Sequence, residues 1–130
     1  MFIDSILKIE NEIKDIKSSN DHIINEAEIM IVTKKQNIKT VTKLVDSGYT
    51  YFGENRVEEL IEKKNLFSSC RFAYIAPIQS KKFKIIMQNS AEIHSISRKK
   101  EILLMSELQW EGDYYIQINV VNFIIITPSL

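Results

Sequence analysis

A lysine directly follows the first short apolar run of this sequence. Lys34 comes after Ile29–Val32, which is too short for a helix and rich in residues that favour strands. Side chains alternate along a strand, so we expect Lys34 to share a face with Met30 and to point into a cavity at the strand end. A neutral lysine amine is a nucleophile, and partial burial favours that form. A strand-terminal lysine that only reaches water is the commoner case.

Two further segments could bind a ligand, and each also has a simpler explanation. Asn55, with Glu58 three residues later, resembles a capping box at the start of a helix. A side chain at that position would also lie where anions are favoured, near a helix N-terminus. Ser80 is a predicted N-cap, and the Lys81 and Lys82 that follow it place cations at the N-terminus of the predicted helix, which can mark an anion site. Solvated lysines are the simpler explanation there.

The elements that must position these residues recur about every 21 residues along the chain. An amphipathic helix is predicted over residues 1–20, with its apolar stripe at Phe2, Ile6, Ile9, Ile13 and Ile16. Strands are then predicted at residues 29–32, 49–52, 72–75, 93–96 and 114–121. A helical stripe separates each strand from the next, and the first of these helices is bounded by a cap at Asn37 and by Gly48.

Strands that alternate with single helices predict an α/β fold with parallel pairing. Two architectures fit: an open doubly wound sheet and a closed (β/α)8 barrel of the TIM type. No glycine-rich nucleotide-binding motif follows any predicted strand, and the even spacing favours the barrel. A complete barrel needs eight units in about 250 residues. The sequence therefore predicts a partial barrel with a leading helix and about five of the eight strands.

The composition is that of an ordinary globular protein with one domain: 130 residues, 45% of them hydrophobic and 26% charged. The net charge is zero, so we expect no nucleic-acid partner and no anionic membrane surface. Cys70 is the one cysteine, residues 1–14 do not resemble a signal peptide, and residues 123–127 form too short an apolar run to span a membrane. His94 has no metal-ligand spacing. We expect a cytoplasmic protein without a metal.

Five blocks, in order, resemble the pyridoxal phosphate homeostasis proteins, a YggS-like group that shares the alanine racemase N-terminal barrel. Ile31–Lys34 stands where the family has a strand ending in V-S-K, and Phe52–Val57 resembles F-G-E-N-x-V. Phe72–Lys82 resembles W-H-F-I-G-x-L-Q-S-N-K, Ile93–Ile96 resembles I-H-S-V, and Tyr115–Asn119 resembles the fifth strand. Each block alone is weak, whereas their order and spacing together are specific.

This resemblance implies that Lys34 holds pyridoxal 5′-phosphate as a Schiff base and that Asn55 contacts the cofactor cavity. It implies cofactor binding and intracellular homeostasis, with no catalytic activity. The single domain would comprise the leading helix at residues 1–20, family-like βα units at 29–120 and a divergent tail at 121–130.

Several departures from the family pattern affect these expectations. Ala73, Ala76 and Lys81 replace a histidine, a glycine and an asparagine, so the polar contacts around the third strand differ. The tail does not resemble the family, and barrel phosphate sites typically come from loops after the last strands. We therefore expect a truncated barrel whose cofactor binding is impaired.

Two other functions are compatible with the residues. A non-catalytic fragment or interaction module would associate through an exposed edge of the fifth strand. An unrelated barrel enzyme could instead use Lys34 to form a Schiff base with a sugar phosphate.

Overall fold

The computed structural model describes residues 2–22 and 27–118 of the chain. Helix α1 spans Phe2–Ser18, which confirms the leading helix. Its inner side packs on the core through Ile3 and Ile6. The predicted apolar stripe is wrong in part, because three of its members are exposed: Phe2, Ile9 and Ile16. The helix is rotated so that Glu10 also faces inward, where its carboxylate accepts a hydrogen bond from the Tyr49 hydroxyl at 3.3 Å.

Five strands alternate with helices along the rest of the described chain. The strands are β1 Ile31–Val32, β2 Tyr51–Glu54, β3 Arg71–Tyr74, β4 Glu92–Ile96 and β5 Asp113–Ile116. The helices between them are α2 Ile38–Asp46, α3 Val57–Leu66, α4 Phe83–Asn89 and α5 Lys99–Glu107, with a short 3-10 turn at Ser80–Lys82. The last part of the predicted fifth strand, residues 119–121, lies outside the described residues. None of the helices in the described ranges is long and apolar enough to cross a bilayer.

All strand pairs are parallel, and the strand order is β1-β2-β3-β4-β5. A doubly wound sheet reverses its strand order at a switch point, and this sheet has no reversal. With right-handed crossovers, a monotonic order places every connecting helix on the same face of the sheet. The structure therefore confirms the α/β class and the arrangement of a partial (β/α)8 barrel.

The ends of α2 show how local sequence sets the loop after β1 and the start of β2. The Asn37 side chain accepts a hydrogen bond from the Thr40 N–H at 2.9 Å, which confirms the predicted cap. At the other end Gly48 has φ +93, and the Tyr49 N–H donates to Leu44 O at 3.1 Å. Because Tyr49 closes the helix, β2 begins two residues later than predicted.

The two faces of the sheet have different surroundings. Aligned side chains of β1 to β3 lie in the core beneath the helices: Ile31, Phe52 and Phe72. The opposite face would line the interior of a closed barrel, and it carries Val32, Gly53, Ala73 and Glu92 in register. A Cβ at Gly53 would lie 3.1 Å from the Met30 sulfur, so glycine lets the Met30 side chain cross this inner face.

Candidate cofactor site at the carboxyl ends of the strands

Lys34 lies two residues beyond the end of β1. The Thr33 N–H donates to Gly53 O at 3.0 Å, and the Thr33 hydroxyl donates to the Glu54 carboxylate. Thr33 is therefore buried on the helix side of the sheet, whereas Lys34 is exposed. Lys34 and Lys35 lie in a turn that is closed by a hydrogen bond from the Gln36 N–H to Thr33 O at 3.0 Å.

Asn55 stands at the corresponding point after β2. The capping-box prediction is wrong, because Arg56 is the N-cap residue of α3 and makes no side-chain capping bond. The Asn55 Oδ1 atom is buried and has no hydrogen-bond partner among the described residues. Buried polar atoms are rarely left unpaired without a structural or functional reason. Asn55 is therefore free of the capping role that the sequence suggested.

A cavity of about 300 Å³ opens beside Asn55, at the carboxyl ends of β2 and β3. Its lining is formed by Asn55, Arg56, Val57, Tyr74, Ala76, Pro77, Gln79 and Lys82. This volume lies at the lower end of the range for small-molecule sites. Lys34, on the adjacent strand, is not among the residues that line it. The structure thus brings Asn55 and Lys82 to one cavity and leaves Lys34 at its own strand end.

The lysines after β3 are placed differently from the prediction. Ser80 begins the 3-10 turn, and the N-cap residue of α4 is Lys82, so the predicted Ser80 cap of this helix is wrong. Lys82 Nζ donates to Glu58 Oε1 at 2.8 Å. This hydrogen bond is the main reason why the pKa of the Glu58 carboxyl is below its usual value. Lys82 thus lines the cavity with a partly compensated charge, while Lys81 is exposed.

A buried ion cluster lies beneath β1 and β2, and sequence reasoning missed it. We call Glu54, Lys63 and Glu59 the buried triad. Lys63 is 1% exposed, and its Nζ donates to Glu54 Oε1 at 2.6 Å and to Glu59 Oε2 at 3.1 Å. The pattern carried a signal, because alternation places Glu54 on the helix side, where a charge needs a partner. Glu59 and Lys63 also have the i,i+4 spacing of a helical ion pair.

The buried triad also reaches the backbone on both sides of Lys34. Lys63 Nζ donates to Thr33 O at 2.7 Å, and the Lys35 N–H donates to Glu59 Oε2 at 2.9 Å. Lys35 has φ +59, a left-handed conformation that costs free energy in a residue with a side chain. Burial raises the pKa of Glu59, but hydrogen bonds from Lys63 and Lys35 outweigh it, so the pKa is lowered.

A second polar cluster lies on the inner face, around Glu92. Its carboxylate accepts a hydrogen bond from the Tyr51 hydroxyl at 2.5 Å, and His94 Nε2 lies 2.8 Å from the same oxygen. Arg71 stacks on the Tyr51 ring, 3.8 Å from its centroid, and its Nε lies 3.3 Å from Glu92 Oε1. His94 is half-buried and contacts the Tyr115 ring edge-on. His94 therefore lines the inner face of the sheet.

The ionisation of this cluster follows from its contacts. Burial, and then the hydrogen bond to Glu92, raise the pKa of Tyr51 far above its usual value. Burial alone would raise the pKa of Glu92, but hydrogen bonds from Tyr51 and His94 and the charge of Arg71 lower it below the usual value. Glu92 is thus held as a carboxylate. No group of three or more metal-ligating side chains occurs in residues 2–22 and 27–118.

Comparison with curated proteins finds relatives described as pyridoxal phosphate homeostasis proteins, and no family model matches the chain. A pyridoxal phosphate homeostasis protein of Buchnera aphidicola subsp. Baizongia pistaciae is 30% identical over 103 residues, covering 79% of this chain and 46% of that protein. The protein of that description from Buchnera aphidicola subsp. Schizaphis graminum is 28% identical over 121 residues, covering 88% and 53%. The chain thus spans about half the length of these relatives. Their shared description concerns cofactor homeostasis and names no reaction.

Solved structures show the same fold. PipY of Synechococcus elongatus PCC7942 superposes with a TM-score of 0.67 in the form without pyridoxal phosphate and 0.68 in the form with it bound. The sequence identity is 19%, and each match covers 83% of this chain and 54% of PipY. The chain is therefore similar over most of its length to pyridoxal phosphate homeostasis proteins, and it shares the fold of PipY.

Proposed function

We propose that this chain binds pyridoxal 5′-phosphate and contributes to its homeostasis in the cytoplasm, with Lys34 forming the Schiff base. The cofactor would supply an aldehyde and Lys34 the amine, and their condensation to a C=N bond would release one water molecule. The observation that carries the proposal is the buried Asn55 Oδ1, which lacks a partner at the edge of a cavity. The description of the relatives to which the chain is similar supports the choice of ligand.

The strand register supports a shared site for Lys34 and Asn55. Val32 pairs with Gly53, and each candidate residue lies two positions further along the chain. Both therefore follow the carboxyl ends of neighbouring strands, where the sites of barrel proteins form. Arg56 and Lys82 line the adjacent cavity and could supply donors to a phosphate.

The proposal includes weak binding by residues 1–130 on their own. Barrel phosphate sites usually come from the loops after the last strands, and the described sheet has five strands. A Schiff base is reversible, so its occupancy depends on the non-covalent contacts that hold the phosphate. Lys34 is also exposed, so water has access to a Schiff base formed there.

Replacing Asn55 tests the site directly. We expect Asn55→Ala to lower cofactor affinity about tenfold while the melting temperature without cofactor holds, since Oδ1 has no hydrogen bond to lose. Absorbance titration and thermal unfolding measure the two quantities. A matched control is Asn65→Ala, an exposed asparagine on α3 away from the cavity lining. Equal affinities in Asn55→Ala and the parent would remove Asn55 from the proposal.

Self-association through β5 is a second candidate function, and the exposure of that strand favours it. All four residues of β5 are exposed, Ile116 and Ile118 are large apolar side chains at 59% and 79% exposure, and no strand within the described ranges pairs with its outer edge. We expect concentration-dependent dimers in sedimentation experiments without cofactor. Ile116→Lys should return the protein to monomers, whereas the control Leu103→Lys, an exposed site on α5, should not. Monomers of the parent at every concentration would exclude this function.

A further inference from the structure

Charged side chains that do not line the cavity beside Asn55 form hydrogen bonds with the loop that carries Lys34. Thr33 O is bonded to the Lys63 ammonium, the Thr33 hydroxyl to Glu54 and the Lys35 N–H to Glu59. The backbone groups flanking Lys34 are therefore fixed on both sides by charged partners, whose hydrogen bonds are about twice as strong as neutral ones.

We propose that the buried triad is a positioning device for Lys34. This inference rests on the proposed function, since it concerns how the Schiff-base lysine is oriented. Glu54 and Lys63 are the buried residues of this device, at 0% and 1% exposure. Glu59 binds Lys63 and also accepts the hydrogen bond from the loop. None of the three lines the cavity beside Asn55, so they act on Lys34 through the backbone.

The geometry gives each contact a separate task. The bond from Lys63 to Thr33 O fixes the peptide between Thr33 and Lys34, and thus the direction in which β1 ends. The bond from the Lys35 N–H to Glu59 stabilises the left-handed conformation at Lys35, where the chain turns out of the strand. Lys35 then lines a hollow with residues of α2 and α3, on the helix side of the sheet. The device thereby fixes the turn that holds both lysines, with Lys35 against α2 and α3 and Lys34 outside that hollow.

Glu59 is the residue to change, because it is 21% exposed on its side chain and its loss leaves the Lys63–Glu54 pair intact. We expect Glu59→Ala to speed amide hydrogen exchange of Lys35 about tenfold or more in the cofactor-free chain. We also expect the ratio of label on Lys34 to label on Lys35, after borohydride reduction with excess pyridoxal phosphate, to fall severalfold. Glu59→Gln keeps an oxygen acceptor for the Lys35 N–H and should restore both quantities. Glu62→Ala, an exposed charge-matched control on α3, should change neither.

The outcomes separate this inference from the function on which it rests. If the parent chain shows no preference for Lys34, the proposed Schiff-base lysine is wrong. If the parent prefers Lys34 and Glu59→Ala keeps that preference, the positioning role is overturned, whether or not exchange at Lys35 has changed. Loss of the preference in Glu59→Ala, with the melting temperature held and rescue by Glu59→Gln, supports the inference.

Discussion

Borohydride reduction in the presence of pyridoxal phosphate is expected to label Lys34 and to leave Lys35 nearly unmodified. The two residues are adjacent in sequence and both exposed, so accessibility alone would label them equally. Their backbones differ, because Lys35 has a left-handed conformation and its N–H donates to Glu59 on α3, whereas Lys34 has neither feature. Mass spectrometry of the peptide that contains both lysines measures the ratio of label, with the cofactor concentration raised in steps.

The expected effect of Lys34→Ala is complete loss of the selective label. Lys35 acts as an internal reference in the parent, and Lys39→Ala, an exposed lysine on α2, is the matched control that should keep the label on Lys34. If the parent carries the label mainly on Lys35, or evenly on its surface lysines, the assignment of Lys34 is contradicted.

A large loss of stability is expected when Lys63 is replaced by methionine. The side chain is similar in size, but the change leaves the Glu54 carboxylate buried at 0% exposure without its cationic partner. Breaking a buried ion pair from one side typically costs about 3–5 kcal/mol of unfolding free energy. Urea denaturation should therefore show a much lower midpoint with an unchanged slope.

Two further variants make this second prediction specific to the unpaired charge. Lys39→Met, the same change at an exposed position, should alter the unfolding free energy by less than about 0.5 kcal/mol. Adding Glu54→Gln to Lys63→Met removes the buried charge and should recover part of the loss. A Lys63→Met protein as stable as the parent would show that the buried triad contributes little to the fold.

The alternation of strands and helices could be predicted from the sequence because each element carries its own apolar pattern. Helices were predicted between the strands, and Val41, Leu60 and Ile86, one each from α2, α3 and α4, lie in one core cluster. The even spacing only favoured a barrel over a doubly wound sheet, and the strand order decided between the two. Boundaries were less accurate where two elements compete for a residue, as Tyr49 does between the end of α2 and the start of β2.

The candidate site was harder to predict because its contacts join residues distant in sequence. Asn55 has the residue type and spacing of a cap, and local pattern alone could not show that Arg56 takes that position. Lys63 stands beside Lys64 in a charged segment that is typical of a solvated helix face. Its burial depends on Glu54 and Thr33, 9 and 30 residues earlier. Only the pairing of β1 with β2 brings these groups together.

A sheet in which each strand pairs only with its neighbours in sequence can be assembled one βα unit at a time as the chain leaves the ribosome. In the order β1-β2-β3-β4-β5 each new strand pairs with the strand made immediately before it, so no strand waits for a distant part of the chain. The segments between neighbouring strands are local in sequence, and closing them costs less entropy than closing distant pairings. We therefore expect rapid formation of β1 to β4. The growing edge is then always the newest strand, and β5 is the strand that a nascent chain of this length would present to chaperones.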